Sequence, residues 1–238
     1  MSQRELIIAI DGPSGAGKST LSRLLARILG YVNIDTGAMY RAVALQAHRL
    51  NVSPEDAAGL GRLCEGLRIE FERSEAGDRV LLNGEDVSEA IRTPEVSLLT
   101  SRVAACPCVR TALVRLQRSL GEQGGVVLEG RDIGTVVFPR AEAKFFLLAS
   151  ARERGHRRYL ELKEKGLVVD LEQTIAEVEE RDAADGAREH SPLLQAEDAV
   201  AIDSTGLSIE QVLEEMLQVV RARRRHSGLP DMPRGSTV

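Results

Sequence analysis

Lys18 and Ser19 carry the clearest chemistry in this sequence, because of the residues in front of them. They close the run Gly12-Pro13-Ser14-Gly15-Ala16-Gly17-Lys18-Ser19, with Thr20 next. The spacing fits G-x-x-x-x-G-K-[ST], a phosphate-binding loop or P-loop. Glycines let the backbone turn tightly, so that its N–H groups point inward at phosphate oxygens. Lys18 is placed to reach β- and γ-phosphates. The Ser19 hydroxyl is the protein's expected ligand to Mg²⁺, with phosphate oxygens and water completing the shell. Residues 12–20 are therefore expected to bind a nucleoside triphosphate, ATP in the first instance.

Acidic and basic groups supply a second set of candidates. Asp35-Thr36 and Glu129-Gly130-Arg131-Asp132 each follow an apolar run. Arginines recur at turn and helix-start positions: Arg41, Arg110, Arg131, Arg181 and Arg188. An acceptor phosphate with about two negative charges must be held in line with a γ-phosphate despite like-charge repulsion. Converging guanidiniums do this with bidentate hydrogen bonds.

The elements that must position these groups alternate. Apolar runs at residues 6–10, 31–34, 126–128, 144–149 and 199–202 read as five short buried strands, with helical patterns between them. A helix follows the P-loop (Leu21, Leu24, Leu25, Ile28), and another carries Met39, Val43 and Leu50, with Thr36 expected as its N-cap. Further helices are expected over 94–105, 107–123, 152–165 and 171–188, and from Ser208 to about residue 222. Residues 54–94 differ in character: a short helix precedes two β-like runs, 67–72 and 79–82, with turns at Ala76-Gly77-Asp78 and Asn83-Gly84. This pattern predicts an α/β fold with a mostly parallel sheet and a small antiparallel insertion. Ligands of such sheets bind at the carboxyl ends of the strands, where all three polar clusters fall.

Composition narrows the function classes. The chain has 238 residues, 43% hydrophobic and 28% charged, with a formal net charge of −5, so no global basic charge draws it to nucleic acid or anionic membranes. Aromatics make up 3% with no Trp, which disfavours base stacking as a main binding mode. No apolar run approaches the ~20 residues of a membrane span. The start runs straight into the first strand, so a cytoplasmic location without a signal peptide is expected. Cys64, Cys106 and Cys108 lack a histidine at ligand spacing and read as reduced thiols.

Longer stretches resemble a known family. The runs at residues 10–18, 35–41 and 130–139 are similar to the bacterial cytidylate kinases. So are Gly84-Glu85-Asp86-Val87-Ser88, Ile91-Arg92-Thr93-Pro94-Glu95-Val96-Ser97, Val103-Ala104-Ala105, the run at 181–188 and Ser191-Pro192-Leu193. The likeness runs in order from about residue 6 to about residue 220. It implies a P-loop NTPase core with a five-stranded parallel sheet flanked by helices (1–53 and 95–220). It adds an antiparallel monophosphate-binding insertion (54–94) and a short helical lid (151–166). The reaction implied is transfer of the γ-phosphoryl of MgATP to CMP or dCMP, by a monomer. Residues 223–238 are expected to be a flexible, solvated tail.

Position by position, the resemblance assigns Thr36, Ser101, Arg110 and Asp132 to the cytosine. It assigns Arg41, Arg131 and Arg188 to the monophosphate, and Arg181 and Asp185 to the ribose. Arg154, Arg157 and Arg158 become the lid arginines over ATP, with Arg157 chosen to reach the transferring group. Catalysis is expected from Lys18, Arg131, Arg157 and Arg188. Asp132 and Ser101 would accept from the cytosine amino group and repel the uracil carbonyl. Glu129 departs from the family, which usually has Asp there, and its role toward Mg²⁺ is left open. Two other readings remain: a kinase for UMP or dTMP, and a P-loop switch protein that transfers no phosphate.

Overall fold

The computed structural model describes residues 4–74, 77–164, 166–186 and 193–230. The chain begins with β1 (Ile7–Asp11), α1 (Lys18–Leu29), β2 (Val32–Asp35), α2 (Thr36–Arg49) and α3 (Ala57–Glu65). It continues with β3 (Ile69–Ser74), β4 (Gly77–Leu82), β5 (Glu85–Asp86), a 3₁₀ turn at Ala90–Arg92, α4 (Pro94–Ala105) and α5 (Pro107–Gly121). Then come β6 (Val126–Gly130), a π-helical turn at Ile133–Val137, β7 (Ala143–Leu148), α6 (Ala151–Glu164) and α7 (Leu171–Gly186). The last elements are β8 (Val200–Asp203) and α8 (Ile209–His226).

Two compact units result: Met1–Tyr31 with Gly124–Val238, and Val32–Gln123. The fold is α/β, with a five-stranded parallel sheet. Four of its strands, in the order β6-β1-β7-β8, lie in the first unit, and the fifth, β2, belongs to the second. Every residue of β1 is buried, as a strand with parallel neighbours on both sides must be. The register pairs Asp11 with Gly130 and with Phe146, so the P-loop, Arg131-Asp132 and the approach to α6 leave the sheet at one edge. On one face of the sheet, Leu21 and Leu25 of α1 and Val212, Leu213 and Met216 of α8 pack on Ile8, Ile10, Phe145 and Leu147.

The second unit contains the antiparallel sheet β3-β4-β5 and helices α2 to α5. Asn83 (φ 53°) and Gly84 (φ 87°) both take the left-handed conformation, the backbone of the tight hairpin turn that this dipeptide forms. Gly77 and Asp78, expected in the preceding turn, already pair in β4 with Ser74 and Arg73.

Two expectations are corrected. Asp35, not Thr36, caps α2: its Oδ1 accepts from the Ala38 N–H at 2.9 Å, and Thr36 is the first helical residue. Residues 223–226, expected in a loose tail, continue α8, and Leu229 is buried beyond it. Arg224 is buried because Nη1 donates to Glu5 Oε2 (2.6 Å) and to the Tyr31 hydroxyl (2.8 Å). Residues 231–238 lie outside the described residues. Among the described residues, no helix is long and apolar enough to cross a membrane.

Candidate active site

The P-loop has the geometry its sequence requires. Gly12 sits at φ +146°, and a Cβ there would lie 2.2 Å from the Leu147 carbonyl oxygen, so only glycine lets the loop leave β1 against β7. Lys18 opens α1 and is 6% exposed; its Nζ donates to the carbonyls of Gly12 (2.8 Å) and Pro13 (2.6 Å). These contacts keep the ammonium over the loop, where phosphate oxygens can exchange for carbonyls. The N-terminus of α1 adds its partial positive charge on the same side.

Glu129, the residue left without a role, lies beside Ser19. It is 4% exposed on β6, and its Oε2 accepts from the Ser19 hydroxyl at 2.8 Å. A hydroxyl and a carboxylate side by side form an all-oxygen donor set, which fits a hard cation such as Mg²⁺.

Arg131 is half-buried and Asp132 is 7% exposed, just beyond β6. The N–H groups that follow them, of Ile133 and Gly134, donate to Asp11 Oδ1 (2.8 Å) and Oδ2 (2.7 Å). Burial pushes the Asp11 carboxyl up to about 6; these two bonds and the Lys18 charge oppose the rise, and the Asp132 charge adds to it.

The lid arginines differ in environment. Arg154 is 4% exposed; Nε donates to the Ala149 carbonyl (2.8 Å), and Nη1 to Ser14 O (3.0 Å) and Asp182 Oδ1 (3.0 Å), with a second bond from Nη2 to Asp182. Arg157 donates from Nε to Glu153 (2.9 Å) and from Nη2 to the Ser204 carbonyl (2.8 Å). The Ser204 hydroxyl, with one proton to give, lies within hydrogen-bond reach of the carbonyls of Leu148 (3.0 Å) and Ala16 (3.3 Å), the latter within the P-loop. Arg158 is exposed and pairs with Glu161 at 2.8 Å. Arg154 and, through Ser204, Arg157 are thus joined to the P-loop, whereas Arg158 reaches along its own helix to Glu161.

Arg181 lies on α7, whose span includes position 185, and Arg188 falls outside the described residues. In the second unit, Thr36 is 4% exposed at the start of α2. Arg41, one turn on, donates from Nη2 to Asp35 Oδ2 at 2.8 Å. Its buried Nε has no hydrogen-bond partner among the described residues, a donor suited to an anionic oxygen. Arg110 of α5 stacks over the Tyr40 ring at 5.8 Å, and Ser101 is exposed on α4.

Sequence reasoning singled out Asp35 but not its bond to Arg41, and it missed three supporting residues: Asp11, Asp182 and Ser204. Each holds a named site residue or segment from a distance in sequence. The signal available for them was only that polar residues follow buried strands or face arginines one helix turn away.

Comparison with known proteins agrees with this geometry. A curated relative described as cytidylate kinase, from Syntrophotalea carbinolica, is 69% identical over 93% of this chain and 94% of its own length. Another so described, from Geobacter sulfurreducens, is 60% identical over 94% of this chain and 96% of its own. A solved structure of an uncharacterized protein from Eubacterium ventriosum superposes with a TM-score of 0.52 at 10% identity, over 91% of this chain and 98% of that one, which shows the shared fold. The family model for cytidylate kinase matches residues 8–222. The chain belongs to the cytidylate kinase family, the enzymes that pass the γ-phosphoryl group of ATP to CMP or dCMP.

Proposed function

We propose that residues 12–20 hold the ATP phosphates, and that Ser19, supported by Glu129, holds the Mg²⁺ that travels with them. The observation that carries this assignment is the Ser19–Glu129 hydrogen bond at the foot of the loop that Lys18 covers. When bound, Mg²⁺ neutralises β- and γ-phosphate charge and fixes their orientation. Lys18 exchanges its loop carbonyls for phosphate oxygens. Arg157, with Arg154 fixing its helix against the P-loop, stabilises charge on the group in flight, and Arg158 closes over ATP from residues 151–166, the lid. The attacking CMP oxygen is already anionic and needs no general base, so alignment and charge neutralisation carry the rate.

Asp132, Ser101, Thr36 and Arg110 read the cytosine; Arg41, Arg131 and Arg188 take its phosphate; Arg181 and Asp185 take the ribose. The buried Nε of Arg41 and the burial of Asp132 support these roles. Rejection of uracil rests on acceptors facing its O4, a kind of buried polar match worth up to ~10⁴–10⁵-fold. The kinase core is assigned to 1–53 and 95–220, with 54–94 as the monophosphate-binding insertion. A cytoplasmic monomer acting on small molecules, without nucleic acid or membrane, is the accompanying reading.

The test is ADP release from MgATP with CMP, dCMP, UMP, dTMP or AMP, repeated with EDTA. Turnover with CMP and dCMP, weak turnover with UMP and loss in EDTA are expected. Activity confined to UMP or dTMP would keep the phosphate and Mg²⁺ residues and overturn the base readers. Full activity in EDTA would remove Mg²⁺ and the role of Ser19.

A further inference from the structure

We propose that Asp11 is a positioning residue for base recognition: its carboxylate grips the backbone just behind Asp132 and so sets where that residue meets the acceptor base. The inference rests on the reading of Asp132 as a cytosine contact.

The turn at Ile133–Val137 begins with N–H groups that have no partner within it, as every helical start does. Asp132 makes no side-chain cap to it. Asp11 supplies both acceptors from the end of β1, one oxygen to Ile133 and the other to Gly134. Two bonds from one planar group fix orientation as well as position. Ile133 (1% exposed) and Val137 (2% exposed) anchor the turn in the core. Asp132 immediately precedes a segment held on three counts.

Gly134 reports how closely the parts fit. A Cβ added there would lie 3.3 Å from Asp11 Oδ2 and 3.2 Å from Lys144 Cδ, so the backbone passes between the two side chains. Lys144 is buried on β7; its Nζ donates to the Pro139 carbonyl (2.6 Å), beyond the far end of the turn, and to Asp198 Oδ1 (2.8 Å). Asp11 therefore holds the near end and Lys144 the far end. Asp11 also precedes Gly12, whose carbonyl accepts from Lys18. One side chain at the root of the P-loop thus sets the segment that carries Arg131 and Asp132.

A carboxylate is a poor choice here for stability alone. It is 4% exposed and close enough to Asp132 to feel its charge. Burying an acid beside a second acid works against folding unless its bonds do something a neutral group cannot. Two strong acceptors on a rigid fork, aimed at consecutive N–H groups, meet that requirement.

The experiment measures kcat and KM for CMP and UMP at saturating ATP, with ATP binding measured separately using a fluorescent ATP analogue. Asp11→Asn keeps the size but turns an amide NH₂ toward one N–H. It should lower the CMP:UMP ratio of kcat/KM by roughly tenfold or more and leave ATP affinity within about threefold, as expected for one lost charge-assisted bond. Gly134→Ala pushes the backbone away from an unchanged carboxylate and should lower the same ratio, which separates geometry from charge. It also decides the matter if Asp11→Asn fails to fold. Equal losses for CMP and UMP in both variants would mean a merely structural role and overturn the proposal. Asp132→Ala distinguishes the two levels. If it removes discrimination while Asp11→Asn and Gly134→Ala keep it, positioning by Asp11 is wrong. If it leaves discrimination intact, the base reading falls and this inference with it.

Discussion

The Ser19 hydroxyl donates to Glu129 across 2.8 Å, tying the first turn of α1 to the end of β6. The glutamate is thereby held by the residue proposed to take Mg²⁺. Glu129→Gln keeps the acceptor and the volume but removes the charge. We expect kcat to fall by ~10–100-fold at low Mg²⁺, with part of the loss recovered at high Mg²⁺ and KM for CMP unchanged. A Mg²⁺ titration of the rate checks this; a loss independent of Mg²⁺ would place Glu129 outside the metal's environment.

Asp35 serves two ends at once, the N–H of Ala38 and the guanidinium of Arg41. Serine caps helices about as well as aspartate but cannot hold an arginine. Asp35→Ser should therefore melt close to the parent and raise KM for CMP by about tenfold, since Arg41 is no longer oriented. Asp35→Ala should add a stability loss of about 0.5–2 kcal/mol from the missing cap. Thermal melts and CMP titrations read the two effects apart.

Arg157 and Arg158 are neighbours on α6 with different surroundings. Arg157→Ala should lower kcat by ~10³-fold or more with little change in CMP affinity, the signature of a transition-state arginine. Arg158→Ala, at an exposed residue paired with Glu161, should change kcat by about twofold. Equal effects would break the distinction drawn from Ser204 and the P-loop.

Asp11 gives a pH signature. Its carboxyl is raised from 3.8 to about 6 in the folded protein, so the native state holds that proton more tightly than the unfolded chain. Its contribution to stability is therefore greatest below about pH 4 and declines as pH rises toward 6. Urea unfolding of the parent and of Asp11→Asn across this range, expressed as a difference, isolates the group. The parent's stability relative to the variant should fall from pH 4 to 6 and level off above about pH 7. A rising difference would mean that Asp11 ionises more readily when folded.

Local chemistry made much of this molecule legible in its sequence. The P-loop is recognisable because strand, glycines and helix are contiguous. The Asn83-Gly84 turn follows from two residues that tolerate positive φ. Ser208 opens α8 as expected, and its partner in the capping box is Gln211. Interactions between distant residues were not legible. Asp35 and Thr36 are both good capping residues, and only the position of the backbone chose Asp35. The turn at Ile133–Val137 depends on Asp11, more than a hundred positions away. The basic run at 223–225 reads as a solvated end until Glu5, 219 positions earlier, is seen to take Arg224 inside.

β1 lies between β6 and β7, yet the whole second unit is encoded between β1 and these two partners. A growing chain would expose its most apolar strand first and find partners for it last. Val32–Gln123, by contrast, is continuous in sequence and complete before β6 emerges. We expect it to gain protection early, while β1 waits for its neighbours, since pairing across so long a loop is slow. Pulse-labelled hydrogen exchange during refolding would show amides of α2 to α5 protected ahead of those in β1. The P-loop, first to be synthesised among the parts assigned to ATP, would be among the last to acquire its shape.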